Sequence, residues 1–419
     1  MNHEESSSFI MLCWSCVINL RQKQRANNDD SVLQVQHFKM DLMPRSYNSS
    51  ALIRIICLLV AILAIWTSDT NVDILKTLPS LAKDKTILVT GANSGLGLAT
   101  VKLLAQAGTC HKIILACRHN LKCQQAQIQV QDELPEMSDT QIVTVRLDLA
   151  NQTSIQEGAL AIQDILLRPN DNGNQMTKVP SLDVLINNAG VMGAWTSKEY
   201  VEGVETHMSI NHLSHVLLTH CLWKNLLASS RMPRIVHISS LTAMASWRDV
   251  TFGWYNESIQ AKDRAGAIDH PIFNTIKAIQ YYAQSKRANL MFAAELHQRY
   301  NDQISSTASH PGYTRSNLMM AWQFEIFPSA FKKFVQNNRI LSMSTKDGAK
   351  TQIMAALSPA VTSGSLVVPR FWVLGRPMVS TSLYTGFSTH FWPFSRSESS
   401  RLWEESMNAL NISEFGKLE

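Results

Sequence analysis

The stretch Thr86-Ile-Leu-Val-Thr-Gly91-Ala-Asn-Ser-Gly95-Leu-Gly97 decides how the rest of the chain is read. Thr86–Thr90 has the composition of a buried strand, and it runs directly into glycines at 91, 95 and 97 before a helical spacing over 98–107. Glycines let such a turn reverse sharply and let the backbone approach a pyrophosphate. The start of the following helix then offers unpaired N–H groups and a positive dipole end. A glycine-rich string alone is a weak signal. Here a strand precedes it, a helix follows it, and a second strand reads over 112–116, which is the context the motif requires. The spacing is Gly-x-x-x-Gly-x-Gly, which puts Asn93, Ser94 and Leu96 in the same loop as the three glycines.

Outward from this loop, short β-branched runs alternate with longer helical stretches. Strands are expected at 86–90, 112–116, 142–147, 182–187, 234–239 and 304–308, and helices at 98–107, 120–133, 152–167, 202–227 and 281–300. That alternation predicts an α/β fold: a doubly wound, Rossmann-type parallel sheet with helices on both faces. The domain division is a polar extension over 1–50, a hydrophobic segment over 51–67 and a catalytic domain over 83–419. Within that domain 168–180 is a polar insertion and 241–280 a connection too long to be a simple turn.

The 419 residues are 45% aliphatic, aromatic or Cys, enough for a large core, and apolar runs recur to the C-terminus, which excludes general disorder. A net charge of +5 with no block of five like charges argues against a nucleic-acid partner. Charged residues are 17%, against roughly 25% in soluble domains, and this directs attention to lipid. Ile55–Trp66 is free of charge, basic residues precede it, and Asp69 and Asp73 follow. It reads as an uncleaved anchor, interfacial or hairpin-like, with a cleaved targeting peptide or a helix packed on the domain as alternatives. The seven cysteines form no zinc-type pattern, and Cys13-x-x-Cys16 lacks a thioredoxin-like context, so free thiols in a reducing compartment are expected. Together these place the protein on a membrane, the endoplasmic reticulum with the catalytic domain facing the cytosol, or alternatively a plastid.

Two clusters carry chemistry. The second strand ends Leu115-Ala-Cys-Arg118, and no carboxylate falls between 111 and 131. A carboxylate there would bind the ribose hydroxyls of NAD, whereas an arginine pairs with the extra phosphate of NADP, so NADP is the expected cofactor. Asp148 follows the third strand, where it can meet the adenine side. The second cluster is Tyr282-Ala-Gln-Ser-Lys286, with Tyr and Lys one helical turn apart on one face. A neighbouring ammonium and an oxidised nicotinamide both favour the phenolate and lower the phenol's pKa from near 10. Tyr281 is out of register with Lys286 and reads as a packing residue. Ser239-Ser240 and Asn187-Asn188-Ala189-Gly190 end two further strands at the same C-terminal edge of the sheet, where ligands bind in open α/β folds.

With these motifs in this order, the sequence from about Lys83 onward resembles the short-chain dehydrogenases/reductases. It is most similar to their retinol dehydrogenase-like branch, with protochlorophyllide reductases as relatives. The resemblance also rests on Asp148-Leu149, Leu185–Met192, Asn211-His-Leu-Ser-His215, His310-Pro-Gly312 and Arg401-Leu-Trp-Glu-Glu-Ser406. It implies a tetrad of Asn211, Ser240, Tyr282 and Lys286, with Ser239 the lesser choice. It further implies cofactor contacts from Leu149, Asn188, Ala189, Gly190, Pro311, Gly312 and Thr314, and a substrate-covering segment over 316–338. The 42-residue step from Ser240 to Tyr282 is wider than in most relatives.

The expected activity is hydride transfer between a nicotinamide and a small apolar alcohol or carbonyl compound of retinoid, steroid or fatty-aldehyde type. A homodimer is left open. Alternatives are a protochlorophyllide-type double-bond reductase and a cofactor-binding interaction protein without turnover. His207, His212, His215 and His220 crowd around Asn211, but no ligand set of usual spacing accompanies them, so no metal is expected.

Overall fold

The computed structural model describes residues 74–136, 138–167, 180–192, 200–201, 203–246, 271–315, 342–370, 372–383 and 394–417. The chain divides after Val72, and the architecture below is that of the unit beginning at Asp73. The extension over 1–50, the segment 51–67, most of 168–180, the centre of 241–280 and the segment 316–338 lie outside the described residues.

Eight strands form one sheet: β1 (Thr86–Thr90), β2 (Lys112–Cys117), β3 (Gln141–Arg146), β4 (Val184–Asn187), β5 (Arg234–Ile238), β6 (Ser305–Ser309), β7 (Ser365–Pro369) and β8 (Pro377–Ser382). Their order is β8-β7-β6-β5-β4-β1-β2-β3, and all neighbours are parallel except β7 and β8. The period-2 pattern explains the layering. Ile87 and Val89 of β1 with Ile113 and Leu115 of β2 face one core, while Leu88 and Ile114 face the other. Helices α1 (Ile74–Ala82), α2 (Gly95–Ala107), α3 (Asn120–Gln131) and, later in the chain, Thr345–Leu357 close the first core. The second is closed by α4 (Gln152–Leu167), α5 (Ser214–Cys221), the long α7 (Pro271–Tyr300) and Arg396–Ala409. The doubly wound parallel sheet is the expected one.

Several sequence expectations are corrected. The pattern gave six strands, and β7 and β8 extend the sheet by two more. The single helix expected over 202–227 is instead a small hairpin (Tyr200–Val201 with Val204–Glu205), then a helical run 206–221, then α6 (Trp223–Leu227). Within that run Ser209–Leu213 is π-helical, with the Ser214 N–H reaching back to the Ser209 carbonyl. The helix bearing Tyr282 begins at Pro271, ten residues before its expected start at 281. Proline suits the first helical position, because its missing N–H would have no partner there anyway.

The cysteines are corrected as well. Cys117 and Cys123 are joined in a disulfide, with Cα atoms 5.7 Å apart, instead of being free thiols. Cys117 ends β2 and Cys123 sits in the first turn of α3, so the short connection between them brings the two side chains together. Cys110 and Cys221 are free and buried, and burial pushes their thiols up to about 12 and about 11.

Among the described residues no helix is long and apolar enough to cross a membrane. The C-terminal motif is structural. Trp403 stacks on Phe292 of α7 at 5.6 Å between centroids, and the Ser406 hydroxyl lies 3.1 Å from His212 Nε2.

Candidate active site

The strand order reverses between β1 and β4, and the residues singled out in the sequence gather at the C-terminal ends of the strands around that point. After β1 the Gly91 N–H donates to the Ala116 carbonyl at 2.8 Å, which turns the chain back over the β2 end. Ser94 caps α2 in extended backbone, and its side chain makes no capping bond. A Cβ on Gly97 would lie 2.4 Å from the Gly91 carbonyl oxygen and 2.6 Å from Asn188 Nδ2, so only glycine lets the helix start sit this close to the loop. Asn188 is clamped on both sides. Its Nδ2 donates to the Thr90 carbonyl at 2.7 Å, and its Oδ1 accepts from Gln352 Nε2 at 3.1 Å. The result is a backbone-lined cradle at a helix N-terminus, which fits a dinucleotide pyrophosphate.

Other expected cofactor residues are distributed along the same edge. Arg118 is exposed at the end of β2, its Nε 3.1 Å from His119 Nε2. Asp148 accepts the Ala150 N–H at 3.0 Å through one carboxylate oxygen. Leu149 points its side chain into the core, and its carbonyl takes the Ser214 hydroxyl. Pro311 and Thr314 are buried beyond β6, and the Gly312 N–H donates to His310 Nδ1 at 3.0 Å. The structure therefore joins Gly91, Gly97, Asn188 and Ala189 by contact, while Arg118, Asp148 and Thr314 share only the sheet edge with them.

Of the four residues of the expected tetrad, Asn211, Tyr282 and Lys286 are buried and Ser240 is half-buried beside them. Asn211 Oδ1 accepts the Val191 N–H at 2.7 Å, and its Nδ2 donates to the Val191 carbonyl and to Ser285 Oγ at 3.0 and 2.9 Å. Ser285 in turn donates to the Tyr282 carbonyl at 2.8 Å. Lys286 Nζ donates to the Ile238 carbonyl at 3.1 Å and stands 5.7 Å from the centre of the Tyr282 ring. A Cβ on Gly190 would lie 3.1 Å from Asn211 Oδ1 and 3.2 Å from Lys286 Nζ, so the glycine leaves the space in which these two groups approach each other.

The two serines differ. Ser239 is buried and donates to the Lys286 carbonyl at 2.8 Å. Ser240 hydrogen-bonds Tyr282, and its oxygen receives the Thr242 hydroxyl at 2.9 Å. Tyr281 is half-buried, as its register implied.

Electrostatics depart from the sequence expectation. Burial pushes the Tyr282 phenol up to about 12, and the Ser240 hydrogen bond opposes this. Burial also pushes Lys286 down to about 8. Desolvation outweighs the Ser240 hydrogen bond, so the phenol is held protonated. The crowded histidines each have their own partner. His207 Nδ1 is 2.6 Å from Glu205, with its ring edge-on to Tyr282, while His220 Nδ1 accepts the Gly416 N–H at 2.9 Å. His212 and His237 both pack edge-on against Phe292. Among the described residues no group of three or more His, Cys, Asp or Glu side chains is placed to hold a metal.

Ser285, Thr242 and Gln352 were not singled out in the sequence. Ser285 lies inside Tyr-x-x-x-Lys and could have been weighed by its place on the helix. Gln352 gives no local signal.

A dinucleotide cradle at the switch point, with a Tyr–Ser–Lys–Asn cluster beside it, defines a nicotinamide-dependent oxidoreductase. Residues 85–252 match the short chain dehydrogenase family. Retinol dehydrogenase 14 of Mus musculus is 32% identical over 292 residues, covering 68% of this chain and 76% of that protein. Retinol dehydrogenase 13 of Homo sapiens is 35% identical over 238 residues, covering 56% and 60%. A solved oxidoreductase, yciK from E. coli, is 19% identical with a TM-score of 0.46, covering 68% and 95%. The chain belongs to the short-chain dehydrogenase/reductase family, in its retinol dehydrogenase-like branch.

Proposed function

We propose that this oxidoreductase uses NADP(H) and interconverts an apolar alcohol and its carbonyl compound, of retinoid, steroid or fatty-aldehyde type. The observation that carries the cofactor choice is Arg118, exposed at the end of β2 where a ribose-binding carboxylate would otherwise stand. When bound, the nicotinamide supplies or accepts the hydride. In the reductive direction the protonated Tyr282 hydroxyl gives its proton to the carbonyl oxygen, and the Ser240 hydroxyl stabilises the charge that develops there. Lys286 holds the ribose and adds a nearby positive charge, and Asn211, bonded to Ser285, holds that turn of α7 in place beside it. Asp148, Leu149, Pro311, Gly312 and Thr314 are proposed as further cofactor contacts.

The retinoid-like substrate class rests on the retinol dehydrogenase relatives and on the apolar segment 316–338. Membrane attachment through 51–67 is proposed on the sequence alone. A cytosol-facing catalytic domain is proposed on the expected NADP cofactor, since Cys117 and Cys123 are bridged and not free thiols.

The test compares NADPH with NADH against retinal, a steroid ketone and a long-chain aldehyde, followed by nicotinamide absorbance. Arg118→Ala should weaken NADPH by about 1–3 kcal/mol, the scale of a charge-assisted contact, and leave NADH nearly unchanged. Equal losses for both cofactors would show that Arg118 does not read the phosphate.

A further inference from the structure

His215 lies between the cofactor cradle and the tetrad, and nothing in the reaction outlined above uses it. It is buried in α5. Its Nδ1 is 3.1 Å from the Asn211 carbonyl oxygen, and its Nε2 is 3.0 Å from the Thr90 hydroxyl. The proton positions follow from what each partner can do. A carbonyl oxygen only accepts, so Nδ1 carries the proton. Thr90 Oγ1 already accepts the N–H groups of Asn188 and Ala189, both at 2.9 Å, so its own proton is left to donate. The Ile186 carbonyl is 3.4 Å from it and His215 Nε2 is nearer, so Nε2 accepts. Both ends independently require the same tautomer. Burial and the nearby Lys286 charge push the imidazole down to about 4, which keeps it neutral.

We propose that His215 is a positioning residue: a fixed neutral imidazole that ties the β4 end of the cofactor cradle, through Thr90, to the backbone of Asn211. The line is continuous. The N–H groups of Asn188 and Ala189 hold Thr90, Thr90 holds His215, and His215 holds the Asn211 carbonyl. The Asn211 side chain then reaches Tyr282's own carbonyl through Ser285. Asn211 sits in the π-helical stretch, where the regular ladder of the helix is interrupted and a side chain that takes up a carbonyl has most to fix. A displacement of the cradle is therefore transmitted to the tetrad by hydrogen bonds and not by packing alone. The inference rests on the hydride-transfer reading of the Tyr282 site for its kinetic consequence, but its geometry can be tested without any substrate.

The experiment uses the full chain in two arms. In the first, ¹⁵N-histidine NMR identifies the imidazole signal lost in His215→Asn. That signal is expected to be an Nδ1–H tautomer that does not titrate across neutral pH. In Thr90→Val the Nε2 resonance should shift as its hydrogen bond is lost while the Nδ1–H tautomer stays, and Thr90→Ser should leave both unchanged. In the second, NADPH-dependent reduction of retinal is compared for His215→Asn, which keeps a donor near the Nδ1 position, and His215→Gln, which places its amide near Nε2. His215→Gln should lose about tenfold in kcat with little change in KM, and His215→Asn should recover most of it.

An Nε2–H tautomer, or a signal that titrates near neutrality, overturns the proposal. So does equal activity of the Asn and Gln variants. If retinal is not turned over at all, the substrate reading fails, while the tautomer and the Nε2 shift in Thr90→Val still decide the role of His215. If the Gln variant does not fold, the first arm decides it.

Discussion

The proposed cofactor half of the sheet, β1 to β3, and the proposed catalytic half, β4 to β6, hold their candidate groups in different ways. In the first half the working surface is backbone: the Gly91–Gly97 loop, the start of α2 and the turn after β2 that carries Arg118, all within a contiguous stretch of sequence. In the second half the candidate groups are side chains from positions far apart, Asn211, Ser240, Tyr282 and Lys286, held by buried and half-buried hydrogen bonds that also recruit Val191 and Ser285. A backbone site depends on close approach and tolerates most side-chain changes away from its glycines. A side-chain site depends on each link being satisfied in a dry interior, where an unmet partner is costly.

Removing the proposed proton donor gives the largest effect expected. Tyr282→Phe keeps the ring and deletes the hydroxyl, so turnover should fall by roughly 100-fold or more while NADPH binding, measured by fluorescence, survives. Tyr281→Phe should be mild. If the two variants behaved alike, Tyr282 would not be the proton donor.

In the cofactor half the corresponding break is Gly97→Ala. The added methyl meets backbone at 2.4 Å, and overpacking of about 1–3 kcal/mol translates to about tenfold or more in NADPH affinity. Turnover at saturating cofactor should change much less. Unchanged NADPH affinity would mean that the loop does not seat the cofactor.

The smallest effect sharpens the comparison through pH. The Tyr282 phenol, at about 12, stays protonated throughout the neutral range, while Lys286 carries its charge only below about 8. Reductive turnover should hold up to about pH 8 and decline above it as the lysine is neutralised. A decline that began well below neutrality would place the controlling group elsewhere.

The same contrast governs how much could be read before any coordinates. All six strands expected from periodicity start and end within two residues of β1 to β6, most directly where the strand is an apolar run buried on both faces, as in β1, β2 and β4. The cradle was legible for the same reason, as its signal is local. Tyr282 and Lys286 were legible as a one-turn pair, whereas Asn211 entered only through family resemblance, since nothing near it in sequence reveals that it meets Val191. The Cys117–Cys123 bridge was missed because it depends on how β2 turns into α3 and not on the Cys pattern. The wire through Thr90 and His215 was missed because its ends are 125 positions apart and it runs through a π-helical stretch that a 3.6-residue period does not describe.

That π-helical stretch, Ser209–Leu213, makes the site sensitive to length as well as to residue identity. A π-turn accommodates one residue more than the α-helix around it would hold. Deleting one of its five positions would leave a regular helix with the turns before and after it nearly in phase, because five π-helical residues turn through about the same angle as four α-helical ones. Glu205, His207 and His215 would then keep their neighbours, whereas Asn211 would lose the bulge that sets its carbonyl and its side chain. Among related chains a one-residue deletion here would be felt at Asn211 and not along the whole helix surface.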